Sequence, residues 1–382
     1  MLIIKPKKTI KVCHVTSVHN RYDVRILYKE CKSLAKYGFD VTLLVNDNLQ
    51  DEFIDGVKIK STYYKPKNRY ERMVISQRKL EKEAIKIDAD VYHFHDPELL
   101  LLALHLKKKG KKIIFDFHED VSQQILYKRW IHNCMKKAIS EIYKFYEKNK
   151  VKEFDAIITV TPKFVERLQL INPNTYMITN YPILSDIFPR NDQFISRTIC
   201  FAGGITPQWN HHHVIKAIED IDNINYVLAG SGSSKYLKFL MQLQGWNKVN
   251  YLGRIPHEKV KDIYNKSFAG ITLLSKRTQV GDEGTLGNTK IFEYMETGLP
   301  VICSDNKIWS KIVNTYKCGI AVDCENTEKI RTAIITLLNS PKAVLEMGRN
   351  GRKAVEKIFN WGTQEKVLYS IYNRILDDKY AK

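Results

Sequence analysis

The sequence predicts an α/β protein made of two doubly wound domains facing each other across a cleft. Three observations predict it. Short β-rich runs alternate with helical patterns from residue 10 onward, which implies parallel sheet. The alternation stops over 181–196 (YPILSDIFPRNDQFIS), a stretch with two prolines and little periodicity, and then restarts. The 382 residues suit two or three domains, and a hydrophobic content of 44% suits large cores.

The first half offers strands at 10–16, 40–45, 91–94, 112–117 and 155–160, with a helical pattern over 24–37 that Gly38 ends. The second half offers strands at 197–202, 225–229, 249–252, 268–274, 299–303 and 318–322, and a helix near 211–220. Residues 358–376 read as a closing helix, with Trp361, Val367, Leu368, Ile371 and Ile375 at helical spacing. In such domains ligands bind outside the carboxyl ends of the strands, so chemistry is sought there.

Composition removes several classes. Lys5, Lys7, Lys8 and Lys11 break the early apolar run, against a secretory signal. No stretch approaches the roughly 18 apolar residues of a membrane span. The seven cysteines, Cys13, Cys31, Cys134, Cys200, Cys303, Cys318 and Cys324, include no C-x-x-C pair, which points to buried, reduced thiols in a cytoplasmic chain. No set of residues has zinc-ligand spacing, and no metal is expected.

The formal charge is +19, and the first half is the more basic. Residues 63–79 mix tyrosines with Lys65, Lys67, Arg69, Arg72, Arg78 and Lys79. Residues 125–150 put Ile131, Met135, Ala138, Ile139, Ile142 and Phe145 on one helical stripe, with Lys128, Arg129, Lys136, Lys137, Lys144 and Lys148 around it. A basic amphipathic helix suits an anionic membrane surface, as a peripheral protein on the inner face of the plasma membrane; an ordinary helix packed on a sheet has the same pattern. Nucleic acid is not expected, because no recognition motif accompanies the charge.

The segment 281–303, GDEGTLGNTKIFEYMETGLPVIC, concentrates chemistry. A loop with Gly281, Gly284 and Gly287 feeds a helix beginning near Asn288 or Thr289 and ending at Gly298. Such a helix start suits a phosphate. Lys290 lies at the end of the helix dipole unfavourable for a cation, which a bound anion would explain. Glu293 could accept from both hydroxyls of a ribose.

This segment resembles the nucleotide-sugar site of the retaining family-4 glycosyltransferases of GT-B fold, in the bacterial surface-polysaccharide type. The resemblance extends to VCHVTSVHNRYDVRILYKECKSLAKYGFDVTLLVN (12–46), VYHFHDPELLLLALHLKKKGKKIIFDFHED (91–120), FAGGI (201–205), LAGSG (228–232), YLGRIPHEKVKDIY (251–264) and FNW (359–361). It implies a last helix that crosses back onto the first domain. The domains are then 1–185 plus about 362–382 on the acceptor side, and 186–361 for the nucleotide-sugar.

Carried over by residue, Glu293 would bind the ribose, and Gly287 and the Asn288, Thr289 and Lys290 amides the diphosphate. Gly203 and Gly204 would lie near the phosphates, Arg254 and Ile255 near the base, and His118 at the transferred sugar. His19, Arg21, Asp23 and Arg25 belong to the acceptor-side loop. Asp23 and Arg25 could instead pair with each other at the helix start.

The sequence departs from the pattern in places. The family's first Glu, eight residues before Glu293, is Thr285 here, which leaves two alternatives: Glu283, ten before, substitutes by a loop shift, or backbone alone reads the donor hydroxyls. The usual Arg is Gly204, and the usual Lys has no counterpart among Thr206–Asn210. Lys276, Arg277 and Lys290 are the candidates to neutralise the leaving diphosphate. His93 and His95 suit structural or cleft-lining roles, and the run 211–213 points its rings in different directions.

The resemblance implies transfer from a nucleotide-sugar, UDP-linked first and GDP-linked second, to a saccharide or polyprenyl-linked acceptor, without cofactor or metal. The rival functions are a nucleotide-sugar epimerase of the same architecture, and a basic nucleic-acid- or membrane-binding protein without activity.

Overall fold

The computed structural model describes residues 9–118, 120–128, 131–185, 197–278 and 280–380. Arg129, Glu119 and most of the 181–196 linker lie outside the described residues. The chain divides into two compact units, 1–180 with 362–382, and 181–361. The first break therefore falls five residues earlier than the expected 185. The reason is packing: Tyr181 sets its ring edge-on to Phe292 and Phe359, and Ser185 N donates to Glu296 at 2.9 Å, so 181–185 belong to the second unit.

The first unit carries an eight-stranded sheet: β1 (Lys11–Val15), β2 (Asp40–Val45), β3 (Glu52–Ile54), β4 (Val57–Ser61), β5 (Val91–Phe94), β6 (Lys112–Phe117), β7 (Ala156–Thr159) and β8 (Thr175–Met177). Their order is β3-β4-β2-β1-β5-β6-β7-β8, and all pairs are parallel except β3-β4. The antiparallel hairpin was not expected. Its turn is Asp55-Gly56, both at positive φ, the Asp-Gly pair that a two-residue hairpin turn requires. Strands β5 and β7 are buried throughout, as helices on both faces of a parallel sheet demand.

The expected helix over 24–37 divides in two. Residues Val24–Cys31 form a π-helix, and Lys32–Tyr37 continue as α-helix to Gly38, which has φ 108°. The closing helix, Trp361–Tyr380, packs in the first unit: Leu368, Ile371 and Tyr372 are fully buried, and Tyr369 stacks on Tyr37.

The second unit carries six parallel strands, β9 (Thr198–Ala202), β10 (Asn225–Ala229), β11 (Val249–Gly253), β12 (Ala269–Thr272), β13 (Val301–Ser304) and β14 (Gly319–Val322). Their order, β11-β10-β9-β12-β13-β14, places a switch of winding direction between β9 and β12. In the first unit the equivalent switch lies between β1 and β5.

The basic amphipathic segment is resolved into a helix Asn133–Val151 whose stripe is turned outward. Met135, Ile142 and Phe145 are 53%, 69% and 71% exposed, whereas Ser140, Glu147 and Val151 are buried. The stripe therefore does not pack on the sheet. Ile131 precedes this helix and is buried.

Candidate functional site

Functional groups collect at the two switch points. In the first unit the loop after β1 is wound around Asp96, just past β5. The Asp96 carboxylate accepts from Thr16 Oγ1 at 2.7 Å, Ser17 N at 2.6 Å and Val18 N at 3.3 Å. This fixes His19, whose Nδ1 lies 3.0 Å from Asp23 Oδ2 and whose Nε2 lies 3.6 Å from Asp96. Burial opposes a charge on His19, yet the two carboxylates outweigh it and raise its pKa. Its ring sits 4.9 Å from that of His118. His118 is partly exposed, and its Nε2 is 3.3 Å from both Asp116 Oδ2 and His95 Nδ1. An imidazole held from behind in this way keeps its ring fixed while one edge meets solvent.

The remaining acceptor-side candidates are structural. Arg21 is 1% exposed: Nε and Nη2 meet Asp47 at 2.7 Å each, and Nη1 meets Gln50 O at 2.8 Å. Its guanidinium has nothing left to offer an acceptor. Asp23 and Arg25 do not pair through their side chains. Asp23 caps the π-helix by accepting from the Arg25 and Ile26 amides. Arg25 points inward, with Nε and Nη2 at 2.9 and 2.8 Å from Asp116 Oδ2 and Nη1 donating to Ile178 O. Its Nε is also 3.0 Å from Glu30 Oε1. Residues five apart do not share a face of an α-helix, and the wider π winding is what brings Arg25 and Glu30 together.

In the second unit, three strand-end loops are laced by backbone. Gly203 N donates to Ala229 O at 2.9 Å, Ile205 N to Ser231 O at 2.8 Å, and Gly230 N to Gly253 O at 2.7 Å. The approach is close enough to require glycine: a Cβ on Gly230, at φ 137°, would stand 1.7 Å from Gly203 O. Gly204 faces open space.

The Lys290 side chain lies across this floor, since a Cβ on Gly203 would stand 2.8 Å from Lys290 Nζ. The ammonium sits 4.8 Å from the Trp209 ring centroid and 5.2 Å from that of Phe201. Burial lowers its pKa, with Glu293 opposing. Lys290 makes no salt bridge among the described residues. The other two candidates are occupied: Lys276 Nζ is 2.9 Å from Asp305, and Arg277 Nη2, 83% exposed, is 2.8 Å from Glu325. Trp209 stands within Thr206–Asn210, where the resemblance expects a lysine. The cation arrives from another helix and is carried by that tryptophan.

The helix Lys290–Glu296 is only seven residues long, too short to persist alone. Ile291, Phe292, Tyr294 and Met295 are fully buried and anchor it, at about 1.5–3 kcal/mol each. Glu293 is half-buried, and its Oε2 accepts from Tyr264 Oη at 3.1 Å. Tyr264 is a contact the sequence did not single out. Two amides expected for the diphosphate are already used: Asn288 Oδ1 accepts from Lys290 N at 3.0 Å, and Thr285 Oγ1 from Gly287 N at 2.9 Å. Thr289 caps the helix without a side-chain bond. Glu283 is exposed, with Lys307 Nζ at 3.2 Å, so its carboxylate is engaged on the surface. Arg254 is exposed and has no ion pair among the described residues, and Ile255 packs on the core. The rings of His211, His212 and His213 each go to a different hydroxyl, those of Tyr226, Tyr236 and Thr327.

Two family models match in tandem. The model described as Glycosyltransferase Family 4 matches residues 24–178, and that described as Glycosyl transferases group 1 matches 190–354. The chain is a GT-B glycosyltransferase. Solved structures agree on the fold. Sucrose-phosphate synthase from Thermosynechococcus elongatus is 14% identical, with a TM-score of 0.76 over 97% of this chain and 100% of that one. HepE from Anabaena, in complex with UDP and glucose, is 13% identical, with a TM-score of 0.70 over 96% and 100%. WaaG, a glycosyltransferase involved in lipopolysaccharide biosynthesis, is 11% identical, with a TM-score of 0.69 over 94% and 99%. No curated protein matches the enzyme.

Proposed function

We propose that the enzyme is a retaining, metal-independent glycosyltransferase of surface-polysaccharide assembly. It takes a sugar from a nucleoside diphosphate, UDP first and GDP second, to a saccharide or polyprenyl-linked saccharide. The observation that carries this reading is Lys290, an ammonium held on Trp209 over Gly203 with no salt bridge among the described residues. A leaving diphosphate supplies the missing anion. In this reading Lys290 stabilises charge as it develops on the diphosphate, and Glu293 accepts from the ribose hydroxyls. His118 hydrogen-bonds a hydroxyl of the transferred sugar. The departing diphosphate oxygen takes the acceptor proton on the same face, so the protein's contribution is positioning and countercharge.

Thermal shift against UDP, GDP, ADP, TDP and their sugars, with and without EDTA, tests the donor side. One nucleotide should stabilise the wild type regardless of EDTA and lose its effect in Glu293→Gln. Stabilisation by none of them, together with no transfer in a broad donor and acceptor panel, would sink the proposal.

The outward stripe Met135, Ile142 and Phe145, flanked by Lys136, Lys137, Lys144 and Lys148, supports a peripheral site at the cytoplasmic face of an anionic membrane, where a lipid-linked acceptor resides. No helix among the described residues is long and apolar enough to cross a membrane. Flotation with anionic vesicles tests this, and absence of binding at low and high salt alike would favour a soluble acceptor.

A further inference from the structure

Spacing along the chain shows no metal set, yet the fold assembles one. We infer that the first unit holds a divalent transition metal, zinc by ligand type, between His14 on β1, Glu30 on the π-helix, and His93 and His95 at the end of β5. One donor atom from each of the four lies within 4.8 Å of the others, and all four side chains are buried.

Three distances define the centre. His14 Nδ1 and His95 Nε2 are hydrogen-bonded to each other at 2.9 Å, and these two nitrogens lie 3.8 and 3.9 Å from Glu30 Oε2. The point equidistant from all three is about 2.1 Å from each, within the range of zinc bonds to imidazole nitrogen and carboxylate oxygen. Glu30 Oε2 and His93 Nε2 are buried with no hydrogen-bond partner. Nitrogens facing away from the centre have partners: His14 Nε2 and His93 Nδ1 lie 3.4 and 3.1 Å from Tyr372 Oη, and His95 Nδ1 is hydrogen-bonded to His118 Nε2 at 3.3 Å.

Charge points the same way. Two fully buried carboxylates, Glu30 and Asp116, share one guanidinium, Arg25, which is the only lysine or arginine touching either among the described residues. Glu30 and Asp116 also lie within hydrogen-bond reach of each other, so either a proton held between them or a bound cation neutralises the second charge of this dry pair. The neighbouring group His95, Asp116 and His118 does not compete as a site, because Arg25 already fills Asp116 Oδ2. A metal at the first group would tie β1, β5 and the π-helix together directly behind His118. It would be structural, so the proposal is independent of the donor chemistry.

The test is metal analysis by mass spectrometry on the full chain, purified through a histidine-free tag from zinc-supplemented cells. The wild type should carry about one equivalent, Glu30→Gln about tenfold less, and His213→Ala as much as wild type. If Glu30→Gln does not fold, the wild type decides: chelator treatment should lower Tm and added zinc should restore it. A wild type that is metal-free as purified and unmoved by zinc would overturn the proposal. So would metal lost in His213→Ala and kept in Glu30→Gln. A proton shared by Glu30 and Asp116 would then be the neutralising group. None of these readouts involves sugar transfer, so their failure leaves the proposed activity standing.

Discussion

The two switch points use charge in opposite ways. At the end of β1 and β5, Arg25, Glu30 and Asp116 are fully interior and held by one another, while His19 and His118 reach the surface. At the end of β9, Lys290 makes no salt bridge among the described residues and rests on aromatic rings. The first arrangement holds geometry, and the second holds a charge available for a ligand. Charged residues in strand-end loops are therefore not equivalent, and their partners decide which of them can act.

The largest break in this contrast should come from Arg25→Met. It strands two buried carboxylates and is expected to cost about 3–5 kcal/mol, read as a drop in Tm or failure to fold. Arg254→Ala, on an exposed side chain, should stay within about 0.5 kcal/mol. Next, Lys290→Ala should lower kcat/KM by about 10²–10³ while costing less than about 1 kcal/mol of stability. Lys276→Ala and Arg277→Ala, whose charges are already paired, should leave turnover within about threefold.

Acid should act on two of these histidines with opposite sign. Burial, with His212 and Lys290 nearby, lowers His211 to about 3. Its folded pKa lies below the unfolded value of about 6.5, so the contribution to stability is full above that pH. As pH falls from there towards 3 it is lost at about 1.4 kcal/mol per unit. His19 is raised, so its contribution is full below about 6.5 and fades as pH rises through the folded pKa. Denaturation from pH 7 to 4 should show a shallower acid loss in His211→Gln. The smallest effect on the fold belongs to Phe145→Ser, which is expected to weaken vesicle flotation and to change stability by less than about 0.5 kcal/mol.

The strands were legible because parallel sheet between helix layers buries both faces, and runs such as IIFDF and AIIT show it. The hairpin at 52–61 carries a readable Asp-Gly signal, which the βα alternation around it does not contain. The π-helix was not legible, since its sequence has the same apolar spacing as an α-helix. That one winding difference turns Arg25 inward and decides its role. Lys290 is legible in the sequence, but what separates it from Lys276 and Arg277 is the positions of Asp305, Glu325 and Trp209, which no local pattern fixes. Asp96 and Tyr264 carried no signal beyond their neighbours.

The most direct test is calorimetric titration of UDP, GDP, ADP and TDP into wild type, Lys290→Ala and Lys276→Ala, with EDTA present. One nucleotide should bind the wild type and Lys276→Ala alike, and bind Lys290→Ala at least about tenfold more weakly, the loss of one charge-assisted contact. Equal affinity in wild type and Lys290→Ala, with the loss in Lys276→Ala instead, would contradict the assignment of the free cation.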